Sequence, residues 1–267
     1  MLRIGSLQRL LLVCGLIALA GCGDDGGVTP PVSGSITLHL QEGVDDQGLI
    51  PYDIRYTNAA GNLYSVSKLA YYISDVRLRR SDGSEFVVDA VHYRNIDLPS
   101  TREFSLGDVP NGTYTTLLFT FGLNATRNVD NGLPESLWYD MAWPVVWGGG
   151  FHYMQMEGRY ADTSGANSVG YATHTGRRKL SGDPAPYHYF FTVTLPLSLG
   201  GPFPLVVQGD RWSVDVIMNI NEWYRGPNVY DLSAQRPDMM IDVEAQTALM
   251  ENGANVFHTG PARGIGP

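Results

Sequence analysis

Leu69-Ala-Tyr-Tyr-Ile-Ser-Asp-Val-Arg-Leu78 runs into Ser81-Asp-Gly-Ser84 and comes back as Phe86-Val-Val88. Both arms are rich in β-branched, aromatic and other apolar residues, and Asp-Gly between such runs is hairpin-turn chemistry. The same signature recurs outward from this hairpin. Residues 35–40 alternate with period two, and 113–121 follow the turn dipeptide Asn111-Gly112. Residues 187–195 and 212–217 are further strand-like runs. Only 242–252 carries helix signals, with Asp242 placed to cap its start and Asn252-Gly253 to stop it. The expectation is an all-β fold, a β-sandwich of mainly antiparallel strands with long aromatic loops and one short C-terminal helix. The longest loop spans 122–150 and carries Trp138, Trp143 and Trp147. Loops of that length are usually functional or disordered, and three tryptophans argue against disorder.

The N-terminus supplies an address. Arg3 and Arg9 flank the start of an apolar run over residues 10–20, too short to span a bilayer, which ends in Leu19-Ala-Gly-Cys22. This reads as a lipoprotein signal peptide over 1–21 with a lipobox at its end, so that Cys22 becomes the lipidated first residue. Gly23 after Cys22, in place of aspartate, favours the outer membrane, and the chain would sit in the cell envelope on the periplasmic or surface face. Residues 22–34 (CGDDGGVTPPVSG) read as a Gly/Pro/Asp tether, and 35–267 as one domain.

Removal of the signal takes Cys14 away, and lipidation consumes Cys22, the only other cysteine. Thiolate zinc sites, blue-copper centres and thiol nucleophiles are excluded by that count. Asp and Glu number 27 against 18 Lys and Arg, so a basic nucleic-acid footprint is absent too. Asp130, Glu135 and Asp140 lie in the long loop without the spacing of a catalytic set, and no enzyme activity is expected.

Trp147-Gly-Gly-Gly-Phe-His152-Tyr-Met154-Gln-Met156-Glu-Gly158 holds the most unusual chemistry. In an extended strand His152, Met154 and Met156 would share one face. An inward histidine needs a partner for each ring nitrogen, since an unpaired buried polar group costs about 1–3 kcal/mol. A metal is one such partner, and a carboxylate or carbonyl is another. The thioethers read as core packing.

The order of several segments resembles a known family. Tyr64-Ser-Val-Ser-Lys-Leu-Ala-Tyr-Tyr-Ile-Ser-Asp-Val-Arg-Leu78 is followed by Tyr93-Arg-Asn-Ile-Asp97, Val109-Pro-Asn-Gly-Thr-Tyr114 and Phe121-Gly-Leu-Asn124. Met141-Ala-Trp143, the Trp147 to Gly158 block, His174-Thr-Gly176 and Asn219-Ile-Asn-Glu-Trp223 come next. The set is similar to the MbnP-like domain, named for the methanobactin-associated copper-binding protein of methanotrophs, over roughly residues 35–258. The resemblance implies a periplasmic or surface β-sandwich. It further implies one copper held by histidines beside a tryptophan oxidised to kynurenine by a di-haem cytochrome c peroxidase-like partner.

His152 and His174 are then the candidate ligands, with His188 and His39 as further candidates, and the ion would be Cu(I). His92 and His258 look peripheral. Trp147 is the first candidate for modification, because the glycines after it permit a reversal toward His152. Trp143, stiffened by Pro144, is the second. A different class of function stays open: a surface lipoprotein that binds glycan or protein through exposed aromatics, without metal.

Overall fold

The computed structural model describes residues 32–161, 167–234 and 239–266. The signal peptide, Cys22 and residues 22–31 of the expected tether lie outside them. The strands are β1 (Ser33–Val44), β2 (Lys68–Arg80), β3 (Glu85–Asn95), β4 (Glu103–Pro110), β5 (Gly112–Phe121), β6 (Met154–Ala161), β7 (Ser168–Thr175), β8 (Phe191–Pro196), β9 (Phe203–Val207) and β10 (Arg211–Asn219). The helix α1 (Val243–Asn252) and the short strand β11 (Phe257–Thr259) complete the main elements. Asp242 caps α1 as its sequence implies, its carboxylate accepting from the amides of Glu244 and Ala245.

Two sheets face each other. In the six-stranded sheet β1 lies between β10 and β4, with β11 beyond β10. In the ten-stranded sheet the order β9-β5-β2-β6 forms the spine, and β3, β8 and β7 pair onto β2, β5 and β6. Alternation on β1 buries Ile36, Leu38 and Leu40 completely. Phe257 of β11 meets Phe119 of β5 across the core, ring centroids 5.3 Å apart and edge to face, a geometry favoured by the ring quadrupoles. The sandwich is mainly antiparallel, as expected. Among the described strands one pair departs, β1 with β10, which run parallel from Ser35 opposite Arg211 to Gly43 opposite Asn219. Strand β1 also begins two residues inside the expected tether. Gly34 fits there because a Cβ would stand 2.3 Å from the carbonyl oxygen of Asp210.

Strand β2 positions everything that follows. One edge pairs with β3 along nearly its whole length. The other edge pairs with β6 over 68–71 and with β5 from Ile73 onward. The handover falls at Tyr72, whose amide donates to the Tyr153 carbonyl and whose carbonyl accepts from Gly122. The whole 122–153 excursion therefore leaves and rejoins the sheet at a single residue of β2. A bulge at Asp75, with φ of 53°, turns its carboxylate toward the outgoing chain. Asn124 Nδ2 donates to it at 2.8 Å and Arg127 Nε at 3.1 Å.

Gly122 has φ of 87°, and a Cβ there would lie 2.5 Å from the Tyr153 ring. Gly122→Ala meets backbone strain and overpacking together and should cost about 3 kcal/mol or more. Urea denaturation checks this. A loss below about 1 kcal/mol would mean the junction relaxes freely.

Candidate metal centre

The long loop returns to the sheet as a reversal over residues 143–150. Trp143 N donates to Gly150 O at 2.8 Å, and an isolated bridge pairs Ala142 with Phe151. Gly148, Gly149 and Gly150 all have positive φ. A Cβ on Gly149 or Gly150 would lie 2.4 Å from the side-chain oxygens of Asp130 or Asn128. Those two side chains hold the reversal: Asp130 Oδ1 accepts from Gly150 N at 2.7 Å, and Asn128 Oδ1 accepts from Phe151 N at 2.7 Å. Asn128 Nδ2 donates back to Phe151 O at 3.0 Å.

This hairpin sets which tryptophan meets His152. Trp143, paired with Gly150, lies diagonally across from it, ring centroids 4.7 Å apart. Trp147 sits at the tip, its carbonyl accepting from Lys179 N, without a ring contact to His152 or His174. The expectation that Trp147 folds back toward His152 is therefore corrected. The glycines do reverse the chain, but the reversal carries Trp147 outward and pairs the strand end with Trp143.

The alternation across His152, Met154 and Met156 also fails, and for a local reason. Residue 153 is a bend and β6 begins only at Met154. The two thioethers face the core, both fully buried, and Met156 Sδ lies 3.9 Å from the Tyr224 hydroxyl. The His152 ring joins the other face, with Gln155 Nε2 3.2 Å from its Nδ1. His174 on β7 pairs with Gln155 on β6 and so arrives on that same face. The two imidazoles meet edge to face, centroids 5.1 Å apart.

Their hydrogen bonds divide the nitrogens. His152 N donates to Met141 O at 2.7 Å, and Nδ1 lies 3.1 Å from the same oxygen. The Gln155 amide nitrogen, a donor, lies 3.2 Å from the same Nδ1. Nδ1 therefore either donates to Met141 O and leaves Nε2 as the lone pair, or accepts from Gln155 and leaves the proton on Nε2. In both forms Nε2 is buried without a partner, and metal binding requires the first. His174 Nε2 lies 3.0 Å from Glu157 Oε1, so a proton held on that nitrogen leaves Nδ1 as its lone-pair site. This is the carboxylate–histidine arrangement that orients imidazole ligands. Trp143 Nε1 and Gln155 Oε1 are buried without partners as well. Both side chains flank the His152 ring.

The other candidates lie elsewhere. His39 Nδ1 is 3.3 Å from Asp215 Oδ1 in the six-stranded sheet. His188 pairs with Arg177 in a short two-stranded ladder, and its Nδ1 is 3.5 Å from the Tyr153 hydroxyl. Neither contacts His152 or His174. His92 stacks on Phe104 at 4.5 Å, and His258 is exposed on β11. Gln155, Glu157 and Lys68 are members of the centre that the sequence did not single out, and Asp140, considered there only for catalysis, joins them through Lys68. Their signal lies in cross-strand register, which a single strand's pattern does not contain. Among the described residues no three His, Cys, Asp or Glu side chains converge as a ready ligand set, so the donors on offer are the two imidazoles. The aromatic-platform alternative finds little support in the tryptophans: Trp143 and Trp223 are buried, and Trp138, Trp147 and Trp212 are half-buried.

A two-sheet β-sandwich with a buried, paired-histidine centre at one sheet edge is the class these features define. The chain belongs to the MbnP family, whose sequence profile matches residues 33–241, and that family is associated with methanobactin and copper. Among solved structures, MbnP from Methylosinus trichosporium superposes with a TM-score of 0.52 at 14% identity. The match covers 85% of this chain and 98% of that one, and the likeness is one of fold. A search of curated proteins finds no match.

Burial, then the neighbouring His174, pushes the His152 imidazole down to about 4. Burial also lowers His174, against the pull of Glu157. Below pH 6.5 the unfolded chain protonates at His152 while the folded chain resists until about pH 4. Acid therefore destabilises the metal-free fold across that window, by at most about 3 kcal/mol from this one group. Urea midpoints of metal-free protein should fall more steeply from pH 6.5 to 4 than those of His152→Leu. Parallel slopes would show that another group carries the acid sensitivity.

Proposed function

We propose that this protein binds one copper ion, as Cu(I), through His152 and His174, and serves copper acquisition or handling in the cell envelope without catalysis of its own. The observation that carries the reading is the buried, unpartnered Nε2 of His152, set against a second imidazole whose own proton is held by Glu157. Both rings are kept neutral by their surroundings, and neutral imidazole is the form that binds copper. An ordered water would satisfy the same atoms, and metal content separates the two occupants. Family membership supports copper over other metals suited to imidazole.

The reading extends to the chain's modification and attachment. Trp143 takes the place first given to Trp147, since its ring lies against His152. A di-haem cytochrome c peroxidase-like partner would catalyse oxidative opening of that indole by peroxide, with hydrolysis releasing the indole C2 as formate. This would leave kynurenine, whose aromatic amine and ketone would lie next to the metal. Lipidation at Cys22 would hold the protein to the outer membrane.

Alanine at His152 or at His174 should remove most of the stoichiometric Cu(I), measured by competition with a chromophoric chelator. His258→Ala, exposed and remote, should retain it. Full copper in the His152/His174 double variant would defeat the assignment.

Protein isolated from the membranes of its own host offers the second test. Mass spectrometry should find a lipidated Cys22 and, in the peptide containing Trp143, the mass change of kynurenine or of an oxygenated precursor. An unmodified Trp143 in protein isolated with its di-haem partner would remove the modification from the proposal and leave the histidines to stand alone.

A further inference from the structure

Two carboxylates lie near the paired histidines, and each has one oxygen engaged by Lys68. Lys68 on β2 stands directly opposite Glu157 on β6, while His174 comes from β7 on the other side of that strand. The Glu157 carboxylate is therefore held between a cation and an imidazole: Oε1 lies 3.7 Å from Lys68 Nζ and 3.0 Å from His174 Nε2. The same ammonium lies 2.9 Å from Asp140 Oδ2. Asp140 immediately precedes Met141, whose carbonyl faces the His152 ring.

We infer that Lys68 sets the metal selectivity of this centre by keeping Glu157 and Asp140 out of the coordination sphere. The inference rests on the two-histidine copper site proposed above. Two consequences follow from the placement. Oxygen ligands that would complete a zinc or nickel site are engaged by the ammonium, which leaves two neutral nitrogen donors. The ammonium also repels a dication twice as strongly as a monocation at the same point. Lys68 thus favours Cu(I) and penalises the divalent ions that bind imidazole well.

Lys68→Met keeps the aliphatic stem in its half-buried place and removes the charge. In the full chain, Zn²⁺ affinity should rise about tenfold or more in this variant, measured by chelator competition. Co²⁺ should develop tetrahedral absorption that wild type lacks. Lys68→Arg should behave as wild type, and adding Glu157→Gln to Lys68→Met should abolish the gain. Cu(I) affinity should change little in Lys68→Met. Equal Zn²⁺ affinity in Lys68→Met and wild type, or a gain that survives Glu157→Gln, would overturn the role of Lys68. If wild type fails to bind Cu(I), the copper reading falls. A Glu157-dependent Zn²⁺ gain would still uphold Lys68 as the residue that restrains the carboxylate.

Discussion

The pairing of the Asn128 carboxamide with both backbone polar groups of Phe151 is the constraint on which the candidate centre depends. The 122–153 excursion has almost no sheet partners of its own, yet Phe151 and His152 are buried. Each unsatisfied buried backbone group costs about 1–3 kcal/mol, so a chain that enters the core without a neighbouring strand needs a substitute. Asn128 supplies one, donating and accepting at once as a strand would. It is itself completely buried, and its own carbonyl accepts from Arg177 at 2.7 Å. Asp130 then fixes Gly150 one residue earlier. The glycines are required by proximity to these side chains, beyond any freedom a turn demands.

Burial of polar groups is handled differently elsewhere in the molecule, and the contrast bears on function. Arg94 and Glu42 form an ion pair deep in the sandwich, with Nε to Oε1 at 2.9 Å and Nη2 to Oε2 at 2.5 Å. Burial raises the Glu42 carboxyl while Arg94 opposes the shift. Tyr71 donates to the same carboxylate at 3.0 Å, and Arg94 Nη1 reaches the Asn95 carbonyl and Thr101. The pair is well supplied with partners, as an ion pair that deep requires. At His152 the pattern differs: its buried Nε2 has no partner, nor have Nε1 of Trp143, whose ring lies against the imidazole, and Oε1 of Gln155, whose Nε2 lies 3.2 Å from Nδ1. A metal ion or a water would satisfy an imidazole lone pair at His152, whereas the Trp143 indole N–H, a donor only, calls for an acceptor.

Much of the sandwich was legible because its determinants are local. The Leu69–Phe86 hairpin announces itself by Asp82-Gly83 between two apolar runs, and Gly83 takes the positive φ the turn requires. Asp242 caps its helix through amides two and three residues away. The convergence of His152 with His174 followed from a resemblance, and the register of β6 against β7 explains it. The face of His152 was not legible, because one bend at Tyr153 reverses the parity of every residue before it. The choice between Trp143 and Trp147 depended on which residues close the hairpin, which is set by Asn128 and Asp130 from outside the segment. Lys68 and Glu157 lie 89 positions apart in sequence and meet only through the β2–β6 pairing. Strands β1 and β10 pair from opposite ends of the domain, and nothing local distinguishes a parallel partner from an antiparallel one.

One short pattern that sequence reading treats as a signature acquires a physical cause here. His174 is followed two positions later by Gly176, and a Cβ on Gly176 would stand 2.5 Å from carbons of the Trp143 ring. The indole thus lies over the chain beyond His174, while its other contact is the His152 imidazole. Any side chain at position 176 would push the indole away and open the cover above both histidines. The amide of Gly176 meanwhile donates to Gln246 Oε1 at 3.3 Å, and Gln246 Nε2 donates to the His174 carbonyl at 2.7 Å. Helix α1, which carries Gln246, thereby fixes the strand end that presents His174 from behind. The histidine–glycine spacing records how closely the indole covers the strand. It is a steric requirement of the cover over His152, whose burial, with that of His174, keeps the imidazoles neutral.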